Sequence, residues 1–218
     1  MGILAFHGRV ATVALGVAAR EGFALGGGNA LIVHGVVNRM TEDVDLFTNR
    51  EHGVADVADD VEAALLGSGL SAERHDKTAG LADIFEGMGE QMAEWSVADP
   101  AGDRTALQMA YIDRRNEPVT MDVGPVLHLH DVVGSKVCAL ASRVATRDYI
   151  DTAAAMKYFA IDDLIALARG IDGGLTHRDF ADAGRRLDDM DDELFARYGL
   201  SAADVAELRA RFAGWPRR

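Results

Sequence analysis

This 218-residue chain has one cysteine, three lysines and no long apolar run. The single Cys138 excludes an internal disulfide and any cysteine-built zinc site. It reads as a small buried apolar residue. No apolar stretch approaches the ~20 residues that cross a bilayer, so no membrane partner is expected. The segment "MGILAFHGRVATVALGVAAREG" is apolar but broken by His7, Arg9 and Arg20. It lacks the charged start and small-residue cleavage site of a leader, reads as a core helix, and makes cytoplasm the expected compartment. Positive charge is also scarce. A net charge of −13 argues against a protein that coats nucleic acid non-specifically. The deficit is uneven: residues 1–130 carry 9 basic and 20 acidic side chains, residues 131–218 carry 13 and 15. Arg185-Arg186 and Arg217-Arg218 lie in the second part, where most arginines read as a solvated helical surface.

The chain holds no internal repeat and no low-complexity segment. Residues 9–21 have helical apolar spacing. "FALGGG" reads as a short strand entering a glycine turn, and "NALIVHGVV" as a helix with Asn29 at its N-cap. "DVDLF" alternates and is β-rich, which predicts a strand. "VADVADDVEAALLGSG" predicts an amphipathic helix ending at glycine. "SAERH", "EWSVAD", "LQMAYID" and "VTMDVG" are strand-like, with turn residues between the last three. From Asp131 onward five stretches read as helices, several opening with Asp, Ser or Thr. The expected plan is an α/β part over residues 1–130 and a helical part over 131–218.

Two features of the first part carry chemistry. A glycine turn between strand and helix lets backbone N–H groups approach a phosphate closely. "GGGNA" offers such a turn at Gly27, Gly28 and Asn29, although alone it fits a plain turn better. Fifteen or so residues later comes Asp-Val-Asp. Residues i and i+2 of a strand share a face, so Asp43 and Asp45 point together while Val44 points away. Paired carboxylates in a partly buried strand repel each other, and a divalent cation relieves that repulsion. Asp122, in the alternating "VTMDVG", would bring a third carboxylate if its strand neighbours that of Asp43. Three such carboxylates suit two-metal phosphoryl or nucleotidyl transfer. "HLH" at His128 and His130 lacks a third ligand and reads as ordinary.

Together these residues resemble the polymerase-beta-like nucleotidyltransferase superfamily. More narrowly, "GGGNALIVHG" followed by "RMTEDVDLF" is similar to the AbiEii-type nucleotidyltransferase toxins, which include the MenT-type toxins. A second block, "DVVGSKVCALASRVATRDYIDTAAAMKYF", resembles that family's second region, with Lys136, Arg143, Asp148 and Asp151 at the matching positions. The two blocks span roughly a quarter of the chain, and their joint occurrence is more specific than either alone. The turn departs from the family in carrying Asn29 where Ser or Thr is usual.

The resemblance implies an α/β nucleotidyltransferase core with a mixed sheet, followed by a helical C-terminal domain. It implies that Asp43, Asp45 and Asp122 hold Mg²⁺ (or Mn²⁺), and that Gly27, Gly28 and Asn29 cradle the triphosphate of an NTP. Lys136, Arg39 and Arg143 would bind the nucleotide. Asp148 and Asp151, i and i+3 on one helix face, would orient Lys136 and Arg143 or help activate the acceptor hydroxyl. Thr41 sits where the family has a hydroxyl associated with inactivation by antitoxin-dependent phosphorylation. The implied acceptor is a tRNA 3′ end or another RNA, and the implied partner a cognate antitoxin protein. Two alternatives remain open on the residues alone. One is the same chemistry on a small-molecule or protein acceptor, and the other is a non-catalytic nucleotide-binding module.

Overall fold

The alternating stretches of the first part assemble into one mixed seven-stranded sheet. The computed structural model describes residues 3–75, 91–143 and 145–218. The strands are β1 (Ala24–Leu25), β2 (Asp43–Thr48), β3 (Ser71–Arg74), β4 (Met92–Ala98), β5 (Arg104–Tyr111), β6 (Val119–Met121) and β7 (Gly124–Val126). Their spatial order is β3-β4-β5-β2-β1-β7-β6. β2 runs parallel to β5, and β1 parallel to β7, while the other pairs are antiparallel.

Strand parity decides what each face does. Val44, Leu46, Trp95, Val97, Leu107 and Met109 are all at most 1% exposed and point to one face. Burying side chains of this size contributes about 1.5–3 kcal/mol each, which commits that face to the core. Helices α1 (Ala5–Ala18) and α3 (Gly53–Gly67) supply the opposing stripes, Val10, Ala11, Ala14, Leu15 and Ala18 from one, Val54, Val57, Ala58, Val61 and Leu65 from the other. The Trp95 indole nitrogen donates to Glu62 of α3 (3.1 Å), so that face lies beneath α3. The opposite face carries Asp43 and Asp45, both partly exposed.

Two sequence expectations shift. The first helix spans Ala5–Ala18, with residues 19–21 a single 3-10 turn. Helix α2 covers Gly27–Val33, so Asn29 lies inside it rather than at its N-cap. The reason is the glycine run: Gly27 takes φ +59° and the chain turns helical immediately, before Asn29 is reached.

The helical part contains α4 (Leu129–Ser142), α5 (Thr146–Ala155), α6 (Ile161–Ile171), α7 (His177–Asp189), α8 (Asp192–Ala196) and α9 (Ala202–Arg211). α4 packs closely on α6 at Gly134, where a Cβ would stand 2.9 Å from the Leu167 carbonyl oxygen. Phe180, Phe212, Trp215 and Tyr149 fill the centre, with the Tyr149 hydroxyl donating to Ala183 O (2.7 Å) and the Trp215 indole to Phe180 O (2.9 Å). Ser201 and Asp204 form a reciprocal capping box at the start of α9.

By contacts the chain divides into Met1–Val33 with Thr41–His128, and His34–Met40 with Leu129–Arg218. The short segment 34–40 therefore belongs to the helical unit, where Val36 and Val37 are buried. Among the described residues no helix is long and apolar enough to cross a membrane.

Candidate active site

The glycine turn and the acidic strand form one structure. The Gly26 amide donates to Asp45 O (2.8 Å), tying the turn to β2. A Cβ on Gly26 would fall 2.3 Å from the Phe47 ring, and one on Gly27 only 1.7 Å from Asp45 Oδ2. Real side chains do not approach so closely, so Gly27 is fixed by two demands at once: a left-handed backbone and the Asp45 carboxylate lying on its Cα.

Asn29 supports the same corner from inside α2. Its Nδ2 donates to the backbone carbonyl of Asp43 (2.8 Å), and its Oδ1 accepts from the Thr41 hydroxyl (2.9 Å). His7 of α1 places Nδ1 3.1 Å from Thr41 Oγ1. The Asn29 amide nitrogen Nδ2 lies 3.4 Å from the same ring nitrogen, so Nδ1 meets the hydroxyl and the amide together, and its role as donor or acceptor follows the ring tautomer. Burial pushes the His7 imidazole below its ordinary value, against the Asn29 hydrogen bond and the charge of Asp43. His7, Asn29 and Thr41 are thus a buried polar network behind the acidic strand. Thr41 precedes β2 and points into this network, not along the face of Asp43. No sequence signal marks His7, a lone histidine on an apolar helix face.

Asp122 does not join the pair. It lies in the two-residue turn between β6 and β7, whose register pairs Met121 with Gly124. The neighbours of β2 are β5 and β1, so the strand reading of "VTMDVG" places Asp122 wrongly. Gly124, at φ +117°, closes a hairpin where a continuous strand was expected. Beside the acids on the same face stand Ala106 and Gln108, which pair with Asp43 and Asp45. Among the described residues no three of His, Cys, Asp and Glu gather as a metal-binding group.

The helical unit holds a second cluster. Arg39 grips Asp151 with two hydrogen bonds, Nε to Oδ1 (2.7 Å) and Nη2 to Oδ2 (2.6 Å). Lys136 of α4 places Nζ 3.2 Å from Asp151 Oδ2. The Asp151 side chain is 0% exposed, Arg39 7% and Lys136 12%. Burial alone would lower the Arg39 guanidinium, but the hydrogen bonds and charge of Asp151 outweigh it and hold the group above its ordinary value. Asp151 thus bridges the two cations, and the charge of Asp148 also acts on Arg39. Asp148 is equally buried and accepts two hydrogen bonds from Arg143, both 2.9 Å. Several other arginines of this unit are matched to acids, Arg209 to Asp192 and Arg217 to Asp188 among them.

Comparison with known proteins bears on the family and the fold. The family model for the nucleotidyl transferase AbiEii toxin of type IV toxin–antitoxin systems matches residues 14–213. A Helicobacter pylori structure described as a candidate nucleotidyltransferase is 16% identical, covers 94% of this chain and 91% of its own, and superimposes with a TM-score of 0.59. The Helicobacter pylori protein JHP933 is 18% identical over 93% of this chain and 86% of its own, with a TM-score of 0.57. MenT4, a nucleotidyltransferase toxin of Mycobacterium tuberculosis, is 14% identical over 95% and 82%, with a TM-score of 0.56. At these identities the structures speak for the fold. No curated protein matches the sequence.

Proposed function

The chain belongs to the AbiEii family of nucleotidyltransferase toxins, and from that premise we propose that it transfers a nucleoside monophosphate from an NTP to the 3′ end of a tRNA, blocking translation. One observation carries the reading: the Asp45 carboxylate rests on Gly27, so a turn suited to phosphate and a pair of same-face carboxylates are a single site. In the reaction the acceptor hydroxyl oxygen bonds to the α-phosphorus, the bond to pyrophosphate breaks, and the hydroxyl proton is released.

Asp43 and Asp45 would hold Mg²⁺ or Mn²⁺. Two carboxylates suffice, because Mg²⁺ commonly takes one or two and completes its shell with waters and phosphate oxygens. Bound there, the ion would supply charge neutralisation at the phosphates. The backbone of Gly27, Gly28 and Asn29 receives the triphosphate. Asn29 takes a further part by holding the Asp43 carbonyl. Lys136 offers a compact charge for phosphate oxygens, with Asp151 and Arg39 fixing its position. Asp151 serves as an anchor in this scheme and Asp148 does the same for Arg143.

A family of toxin–antitoxin pairs implies an antitoxin partner. Phosphorylation of Thr41 would add about two negative charges beside the carboxylates and exclude the nucleotide. Thr41 is 6% exposed and its hydroxyl donates inward, so modification requires this corner to open. Thr41→Ala should then resist the inhibition by the antitoxin that silences the wild type. Full inhibition of that variant would remove Thr41 from the scheme.

A second acceptor class has support from the charge balance. The chain is at −13, and several arginines of the helical unit are already paired with acids. A small-molecule or protein acceptor would need fewer basic contacts than tRNA. Incubation with each labelled NTP, Mg²⁺ and total RNA separates the two. Label at tRNA 3′ ends supports the first reading, and label only on small molecules or protein supports the second.

A further inference from the structure

The open face of the sheet has a relief of its own. Residues that pair across neighbouring strands stand side by side there, in three successive rows. The first is Arg104, Ala98, Ser71; the second Asp43, Ala106, Ser96, Glu73; the third Asp45, Gln108, Glu94. Even spacing along each strand puts all three rows on one face. The middle row starts at Asp43 and crosses β5 and β4 on two small side chains before ending at Glu73 on β3. On one side stands Arg104, with the short Ala98 and Ser71 beyond it; on the other stand Gln108 and Glu94, and the His75 ring reaches Ser96, with Nε2 2.6 Å from Ser96 Oγ. The result is a trough. At a strand spacing of ~4.8 Å, the Cα atoms of Asp43 and Glu73 lie roughly 14 Å apart, room for a nucleotide. A cavity of about 410 Å³ opens over its β3–β5 stretch, lined by Ser71, Glu73, Ser96, Ala98, Arg104 and Ala106 among others, and ends one strand short of Asp43. That volume falls in the range of small-molecule sites.

The direction of the trough tells what it can hold. The glycine turn follows β1, on one side of β2, whereas the trough leaves Asp43 across β5, on the other. In a phosphoryl-type displacement the attacking and leaving oxygens lie roughly in line, on opposite sides of phosphorus. With the triphosphate at the turn, pyrophosphate leaves on the β1 side and the acceptor arrives from the β5 side. We propose that the trough over β5, β4 and β3 seats the terminal ribonucleoside of the acceptor RNA, its 3′-hydroxyl directed at Asp43. The base and ribose lie over Ala106 and against the His75 ring that is hydrogen-bonded to Ser96, Glu73 accepts a hydrogen bond from an amino or hydroxyl group at the far end, and Arg104 meets a backbone phosphate. This rests on the RNA-acceptor reading given above.

The test fills the trough. Ser96 is exposed and Ala106 is half-buried, so Ser96→Leu and Ala106→Leu add bulk to this face without touching the core, and Ser96→Leu also removes the hydrogen bond with His75, which makes Ala106→Leu the cleaner variant. Glu73→Gln keeps shape and removes charge. In steady-state transfer, each leucine variant should raise KM for RNA at least tenfold and leave KM for the NTP unchanged. Glu73→Gln should raise KM for RNA severalfold. Apart from chemistry, Ser96→Leu should weaken binding of an RNA ending in a 3′-deoxynucleoside by a similar factor. Unchanged RNA KM and affinity in the leucine variants would overturn the trough while leaving RNA transfer standing. Failure of the unmutated protein to label RNA would instead remove the acceptor reading, and the trough with it.

Discussion

The two units hold their carboxylates in opposite ways. In the sheet unit, Asp43 and Asp45 sit partly exposed on a strand face, positioned by backbone, by Gly27 and by the His7–Thr41–Asn29 network behind them. In the helical unit, Asp148 and Asp151 are fully buried, each gripped by a bidentate arginine. The first arrangement presents negative charge to the face, and the second consumes it. A buried carboxylate matched in this way is costly to disturb, whereas a partly exposed one can change partners cheaply. The difference separates residues suited to metal and phosphate chemistry from residues that hold others in place. On the proposed reading, Asp148 and Asp151 would act as positioning groups, and Lys136 would be the member of its cluster that meets phosphate.

The contrast is sharpest in stability. Asp151→Ala should destabilise the fold by about 3–5 kcal/mol, because it strands Arg39 and Lys136 in a buried site. Asp45→Asn, on the open face, should cost no more than about 1 kcal/mol. Urea titration of the two variants checks the pair. Equal losses would erase the distinction between the units.

Next in size is Gly27→Ala. It imposes a left-handed conformation on alanine, at roughly 1–2 kcal/mol, and drives a methyl group into Asp45 Oδ2. A carboxylate moved by about 1 Å should lower transfer on the order of 10²-fold. Kinetics and the unfolding midpoint, measured together, separate that loss from simple unfolding.

A smaller effect tests the network behind the strand. His7 in the folded protein holds its proton less well than its ordinary value of 6.5. Between the depressed folded value and 6.5 the unfolded chain binds more protons, so His7 costs stability as pH falls through that window. The unfolding midpoint of the wild type should drop from pH 7 to pH 5 more than that of His7→Asn, which keeps a polar amide at this position without a titrating group. Parallel slopes would deny His7 its buried neutral state.

The smallest concerns Cys138. Burial, helped by the charge of Asp172, pushes its thiol up to about 12, and Sγ donates to Ala168 O (3.1 Å). Alkylation of the folded protein at pH 8 should be slow, and fast only in denaturant. Rapid labelling of native protein would contradict the α4–α6 packing.

The acidic strand and the glycine turn were legible in sequence because each obeys a local rule: strand alternation for Asp43, Val44 and Asp45, backbone freedom for Gly27. The helical stretches after Asp131 were legible by spacing and capping. What escaped depends on tertiary placement. Asp122 reads as a strand residue by alternation, yet Gly124 folds the segment back into a hairpin at the far side of β1. Asn29 has the chemistry of a cap, but the glycine run starts the helix before it. His7 gains its role only from Thr41, thirty-four residues away. Nor does any local pattern reveal that residues 34–40 belong with the helical unit, where Arg39 reaches Asp151 across 112 positions.

The central claim is that the turn and the Asp-Val-Asp strand are one nucleotidyl-transfer site, and Asp45→Asn tests it most directly. Wild type and variant are incubated with labelled NTP, Mg²⁺ and tRNA, and 3′-terminal label is counted alongside the unfolding midpoint. Loss of several kcal/mol of charge stabilisation predicts a fall on the order of 10³-fold in labelling, with the midpoint nearly unchanged. Labelling that persists at the wild-type rate in a folded Asp45→Asn protein would contradict the account.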